Sequence, residues 1–142
     1  MRALLDVNVL LALFDPDHVH HDRATGWWGQ NRAQGWASCP ITQNGFVRIA
    51  TSPSYTNPFP PARALSTLSR QVAMPGHEFW AEDISLTDAA VFDQARITGP
   101  KQITDVYLLA LAVKHGGRLV TFDRGVAAAA VRGAGSGNLV VI

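Results

Sequence analysis

The fold class that the sequence predicts is α/β: a three-layer sandwich of helices around a central, mostly parallel β-sheet. Two observations predict it. Short apolar runs of strand length at 3–5, 36–41, 118–123 and 139–142 alternate with longer segments whose apolar residues recur at helical spacing. The chain has 142 residues, enough for one substantial core and too few for two ordinary ones, so residues 1–142 are expected to form one domain.

Each element follows from local signals. Ala3-Leu4-Leu5 is a short buried strand ending near Asp6, and the apolar run continues through Leu13 as a helix that stops before Asp15-Pro16-Asp17. Residues 18–33 carry Val19, Ala24, Trp27 and Trp28 at mainly helical spacing, and Gly35 releases the chain into the strand 36–41. Thr42 is a candidate cap for a helix through Phe46, Val47, Ile49 and Ala50, stopped by Thr51-Ser52-Pro53. Four prolines make 53–61 a loop, and Pro60-Pro61 suits the entry of a helix through Ala62, Leu65, Leu68 and Val72. After Met74-Pro75-Gly76, residues 77–84 read as a strand and 87–97 as a helix closed by Gly99-Pro100. Thr104 stands where it would cap a helix over 105–115, ended by Gly116-Gly117. The strands 118–123 and 139–142 complete the series.

Composition excludes several classes. The formal net charge is +1, so no broad basic field announces a nucleic-acid partner and any phosphate-binding surface must be local. Ten of the twelve basic residues are Arg, which favours bidentate phosphate contact wherever they gather. The single cysteine, Cys39, lies in an apolar run and reads as a buried, inert thiol, with no internal disulfide possible. No stretch reaches the roughly 18 apolar residues of a membrane span, and charge interrupts the opening too early for a signal peptide. A cytoplasmic location and no membrane association are expected. Phosphate cradles of the Gly-x-x-x-x-Gly-Lys or Gly-x-Gly-x-x-Gly kind are absent.

Three aspartates carry the chemistry. Asp6 ends the first predicted strand, Asp123 ends the strand 118–123, and Asp105 occupies the first turn of a helix. Parallel α/β sheets gather reactive groups beyond the carboxyl ends of their strands, and right-handed crossovers bring helix N-termini to the same edge. Each acid alone also has a plain explanation as a turn residue or helix cap. Asp6 resists it, because it interrupts the apolar run Leu4-Leu5-Asp6-Val7, where an unpaired charge is costly. Converging carboxylates repel and need a counter-charge; a hard divalent cation supplies one and suits phosphodiester hydrolysis.

These residues resemble the PIN-domain ribonucleases, and within them the VapC-type toxins of bacterial toxin–antitoxin pairs. The similarity is carried by Leu4-Leu5-Asp6-Val7-Asn8-Val9-Leu10-Leu11, by Thr104-Asp105-Val106-Tyr107-Leu108-Leu109-Ala110-Leu111-Ala112 with His115-Gly116, and by Leu119-Val120-Thr121-Phe122-Asp123-Arg124-Gly125. The ordered set spans almost the whole chain. The resemblance implies a PIN-like sandwich, endoribonuclease activity, and Mg²⁺ or Mn²⁺ as cofactor. It also implies an RNA substrate, a VapB-type antitoxin and a homodimer. Asp6 and Asp105 match the principal metal positions and Asp123 the third acid, making these three the expected catalytic and metal-binding residues. Asn8 and Thr121 match residues that brace the site.

One departure stands out. The family usually carries a further acid in a Glu-x-x-Arg pattern, and here Gly45 stands in that place, three residues before Arg48. Some family branches with a similar opening also carry Gly there, and one firm metal site is expected. Arg48 is a candidate RNA contact or an ordinary surface Arg. The cluster His18, His20 and His21 lacks metal-ligand spacing and reads as a solvated helix start. Glu78, Glu82 and Asp83 read as ordinary charge, and the four tryptophans as core or interface. Two rival functions stay open: a non-catalytic PIN domain that binds RNA or a protein, with Gly45 marking lost chemistry, and an aspartyl-phosphate phosphatase. The latter wants a second Asp where this chain has Asn8.

Overall fold

Strand β1 (Ala3–Leu5) shows how so little chain specifies a layer. Successive side chains of a strand point to opposite faces, and Leu4 enters one buried cluster while Ala3 and Leu5 enter another. The same split holds for Trp36 and Ala37 of β2 (Trp36–Ser38) and for Leu119 and Val120 of β4 (Arg118–Thr121). A sheet buried on both faces is the condition under which parallel strands are stable. A computed structural model describes residues 1–142 and shows five parallel strands in the order β3-β2-β1-β4-β5, with β3 at His77–Phe79 and β5 at Leu139–Val141.

One face of the sheet is covered by α1 (Val7–Phe14), α3 (Pro40–Ala50) and α4 (Pro61–Val72), which send Val9, Leu10, Leu11, Phe46, Ala50, Ala64 and Leu68 into its cluster. Between α1 and β2 runs α2 (His21–Asn31), packed on α1. The other face receives α5 (Ile103–Lys114), whose residues from Val106 to Ala112 are all buried. No helix of the structure is long and apolar enough to cross a membrane. Cys39 is fully buried, and that burial pushes its thiol up to about 11, as expected of an inert core cysteine.

Several predicted boundaries move. The strands are shorter than the apolar runs: the second stops at Ser38, the third at Phe79 and the fourth at Thr121, so Asp123 lies two residues beyond its strand. Helix α3 begins at Pro40 with Cys39 as its cap; Thr42 sits inside the first turn, where its hydroxyl accepts from the Cys39 N–H at 3.0 Å. Helix α5 begins at Ile103, so Thr104 does not cap it and Asp105 is its third residue.

The helix expected over 87–97 is not formed. Ser85 Oγ accepts from the Thr87 N–H and Asp88 Oδ1 from the Ala90 N–H, which fold this stretch into local turns, and the Ala89 carbonyl is taken by Arg132 Nε at 2.9 Å. The backbone pairs instead with residues far along the chain, Asp93 N–H to the Ala130 carbonyl and Arg132 N–H to the Val91 carbonyl. Only a single 3₁₀ turn, Gln94–Arg96, remains. This segment and 128–131 bury Phe92, Ala130 and Val131 on the α5 face, the work a second helix would do.

Candidate active site at the carboxyl edge of the sheet

The strand order creates one place where connections diverge. Beyond β1 the chain turns toward β2, and beyond its neighbour β4 it turns toward β5 on the opposite side. Crevices of α/β sheets open at such a switch point, and the residues that follow these two strands are Asp6 and the segment from Phe122 to Asp123.

Asp6 is the N-cap of α1. Its Oδ1 accepts the Val7 N–H at 2.7 Å, and its Oδ2 accepts the Thr121 hydroxyl at 2.7 Å. The residue is only 7% exposed. Thr121, fully buried at the end of β4, is saturated: its oxygen donates to Asp6 and accepts from Asn8 Nδ2 at 3.3 Å and from the Asp123 N–H at 3.0 Å. Asn8, in the first turn of α1, also accepts the Phe122 N–H through Oδ1 at 3.4 Å. One hydroxyl and one amide thereby tie the loop after β4 to the loop after β1. Asp123 is exposed, with Oδ1 accepting the Gly125 N–H at 2.6 Å.

Asp105 reaches the same edge from the first turn of α5. Burial, then the charges of Asp6 and Asp123, and a hydrogen bond with Asp123 push its carboxyl up to about 6. Burial also raises Asp6, against the opposing hydrogen bonds from Thr121 and Val7. The chain's ion pairs all lie elsewhere, so no Lys or Arg neutralises Asp6, Asp105 or Asp123. No three His, Cys, Asp or Glu side chains close into a ready-made coordination shell. Two neighbouring carboxylates, Asp6 and Asp105, that lack a cation and are both driven toward their protonated forms fit a hard divalent ion. Mg²⁺ in particular uses one or two carboxylates directly and keeps several waters.

Beside Asp6 lies a cleft of about 390 Å³ lined by Val7, Asn44, Gly45, Arg48, Glu82 and Thr104 among others. Gly45 is buried, and a Cβ there would lie 2.5 Å from Val7 Cγ2. The Val7 side chain thus presses against the position where the resemblance expected Glu. Arg48 is exposed at this cleft and makes no ion pair. Sequence reasoning passed over Glu82 as ordinary charge, yet its Oε1 accepts the Ile41 N–H at 2.5 Å at the N-terminus of α3. Nothing local marks it, because the bond spans 41 residues. The histidines hold no metal arrangement: His18 accepts the His20 N–H, and His21 Nδ1 lies 2.7 Å from the Ala12 carbonyl.

Comparison with known proteins addresses the family and the fold. The family model described as PIN domain matches residues 3–132. Ribonuclease VapC44 of Mycobacterium tuberculosis is 53% identical over 142 residues, covering 100% of both chains. Ribonuclease VapC39 of the same organism is 43% identical over 134 residues, 94% of this chain and 96% of that one. Among solved structures, a crystal structure of VapBC2 from Rickettsia felis bound to a DNA fragment from their promoter aligns with a TM-score of 0.56. It covers 87% of this chain and 89% of that chain at 16% identity, a likeness of fold.

Proposed function

The chain belongs to the PIN-domain family and, within it, to the VapC ribonucleases, and from that premise we propose that Asp6 and Asp105, supported by Asp123, hold a Mg²⁺ or Mn²⁺ ion for RNA cleavage. The protein is the endoribonuclease toxin of a toxin–antitoxin pair. The observation that carries the metal assignment is the un-neutralised carboxylate group at the switch point, with Asp105 pushed up to about 6.

When bound there, the cation supplies the positive charge that ionises the acids, activates water for attack on the phosphodiester and offsets charge on the phosphoryl oxygens. Thr121 fixes Asp6 Oδ2 and, through Asn8, locks the two loops so that the acids meet the substrate pre-arranged. Arg48, free of any ion pair at the adjacent cleft, pairs with an RNA phosphate. The cognate partner is a VapB-type antitoxin that covers the acidic edge, and the toxin self-associates as a homodimer.

Purified protein titrated with Mn²⁺ by calorimetry and assayed on total RNA tests the reading. Metal-dependent cleavage that is lost in both Asp6→Asn and Asp105→Asn, with circular dichroism unchanged, is the expected result. Gly45, with Val7 filling the space of a side chain there, favours the rival of a non-catalytic RNA- or protein-binding domain. Absence of both Mn²⁺ affinity and cleavage would establish that rival.

A further inference from the structure

Phe122 stands between two residues of the acidic edge, Thr121 and Asp123, and is tethered by its N–H to Asn8. Its ring is half-buried against the core that also holds Val120. From the other direction the start of α2 brings two exposed side chains onto it. The His20 ring lies 5.0 Å from the Phe122 ring at an interplanar angle of 38°, and the Arg23 guanidinium carbon lies 5.6 Å from the same centroid. His20 is not free to swing away with its loop: its N–H donates to His18 Nδ1 at 3.0 Å, and its carbonyl accepts the Ala24 N–H at 3.0 Å. Arg23 makes no ion pair.

The strand order sets this group opposite Arg48. Helix α3 follows β2, Phe122 follows β4, and β1 with Asp6 lies between them. A strand of RNA laid across Asp6 therefore meets a cation on each side. An exposed ring resting on a half-buried one, beside an unpaired cation, is a combination that holds unpaired nucleotides, by base stacking and phosphate pairing.

We propose that His20, Arg23 and Phe122 form a subsite for single-stranded RNA next to the cleavage centre. Phe122 is the floor, His20 stacks on a base flanking the scissile phosphate, and Arg23 pairs with a neighbouring phosphate. The assignment rests on the ribonuclease reading but concerns binding, so it has its own readout.

The test compares full-length parent, His20→Ala, His20→Phe and Arg23→Gln. Anisotropy of a short fluorescein-labelled single-stranded RNA reports binding, cleavage assays give KM and kcat, and calorimetry gives Mn²⁺ affinity. His20→Ala is expected to weaken RNA binding and raise KM about tenfold, and His20→Phe to restore both. Arg23→Gln is expected to reduce the salt dependence of binding by about one ion. Mn²⁺ affinity and thermal midpoint stay at parent values. RNA binding within twofold of parent in both His20→Ala and Arg23→Gln, or no RNA binding by the parent, overturns the subsite. Failure of His20→Phe to restore binding overturns the stacking role. A parent that binds RNA but cleaves none sinks the ribonuclease reading and leaves the subsite standing.

Discussion

The two ends of this sheet each hold charge close to the core, and they treat it in opposite ways. At the amino end, Arg2 is 29% exposed and fully engaged: Nη1 donates to the Gly76 carbonyl at 2.5 Å and to the Trp36 carbonyl at 3.4 Å, and Nη2 pairs with Glu78 at 3.1 Å. Gly35, at φ 75°, makes room for it, since a Cβ there would come within 2.3 Å of the guanidinium and 2.7 Å of the Gly76 carbonyl. At the carboxyl end, Asp6 is more deeply buried than Arg2, yet it and Asp105 have no cation at all. Arg2 finds its counter-charge within the chain, whereas Asp6 is hydrogen-bonded to Val7 and Thr121 but, like Asp105, has no counter-charge. On the proposed reading, the contrast is one between structural charge at the amino end and functional charge at the carboxyl end.

That contrast can be broken most sharply at Asp6 and Asp105. Replacing either with Asn is expected to lower RNA cleavage by about a thousandfold or more, measured on total RNA in Mg²⁺, while raising the thermal midpoint of the metal-free protein because one repelling charge is gone. Retained cleavage in both variants would end the assignment. Next comes Thr121→Val, which keeps shape and removes the hydroxyl that serves Asp6, Asn8 and the Asp123 N–H. Cleavage should fall about 10- to 100-fold, with a stability loss of about 1–3 kcal/mol seen in urea melts.

At the amino end the same tests should invert. Gly35→Ala forces a left-handed backbone onto an L side chain and displaces Arg2, costing about 1–3 kcal/mol of stability, while specific cleavage activity at a temperature where the variant is folded stays at the parent level. An activity loss larger than the folded fraction explains would show that the two ends are coupled.

A smaller effect concerns pH. In the metal-free protein Asp105 holds its proton up to about 6 against an ordinary 3.8. The folded state therefore binds more protons than the unfolded one in that window, and the stability contributed by the protonated carboxyl, present below 3.8, is lost as pH rises through 6. Thermal melts should give a lower midpoint at pH 7 than at pH 5, with Asp105→Asn removing part of the difference. The subtlest test sharpens the acidic end itself. Gly45→Glu alone collides with Val7, whereas Val7→Ala with Gly45→Glu opens space for a fourth carboxylate and should raise Mn²⁺ affinity about tenfold by calorimetry.

Much of this was legible in the chain. The β1–Asp6–α1 run, the apolar stretch Val106–Val113 of α5 and the Gly116-Gly117 stop announce themselves because caps, breakers and periodicity act within a few residues. Asp6 drew notice for being an acid in an apolar run, and the parallel-sheet rule was enough to send Asp105 and Asp123 to the same edge. The segment 87–97 has helical spacing too, but Ala130 and Arg132 take the Asp93 N–H and the Val91 and Ala89 carbonyls that a helix would use, and no window of sequence contains that rival.

The sequence by itself determined the layers, the parallel sheet and the identity of the acids, because each depends on side-chain type at short spacing. Tertiary structure alone decided what those acids touch. It set Thr121 as the link between two loops, pressed Val7 into the place of a missing side chain at Gly45, brought Glu82 to the N-terminus of α3 and laid His20 and Arg23 over Phe122. Each of these joins residues from different elements, and their distance in space is fixed by how the whole sheet orders its strands.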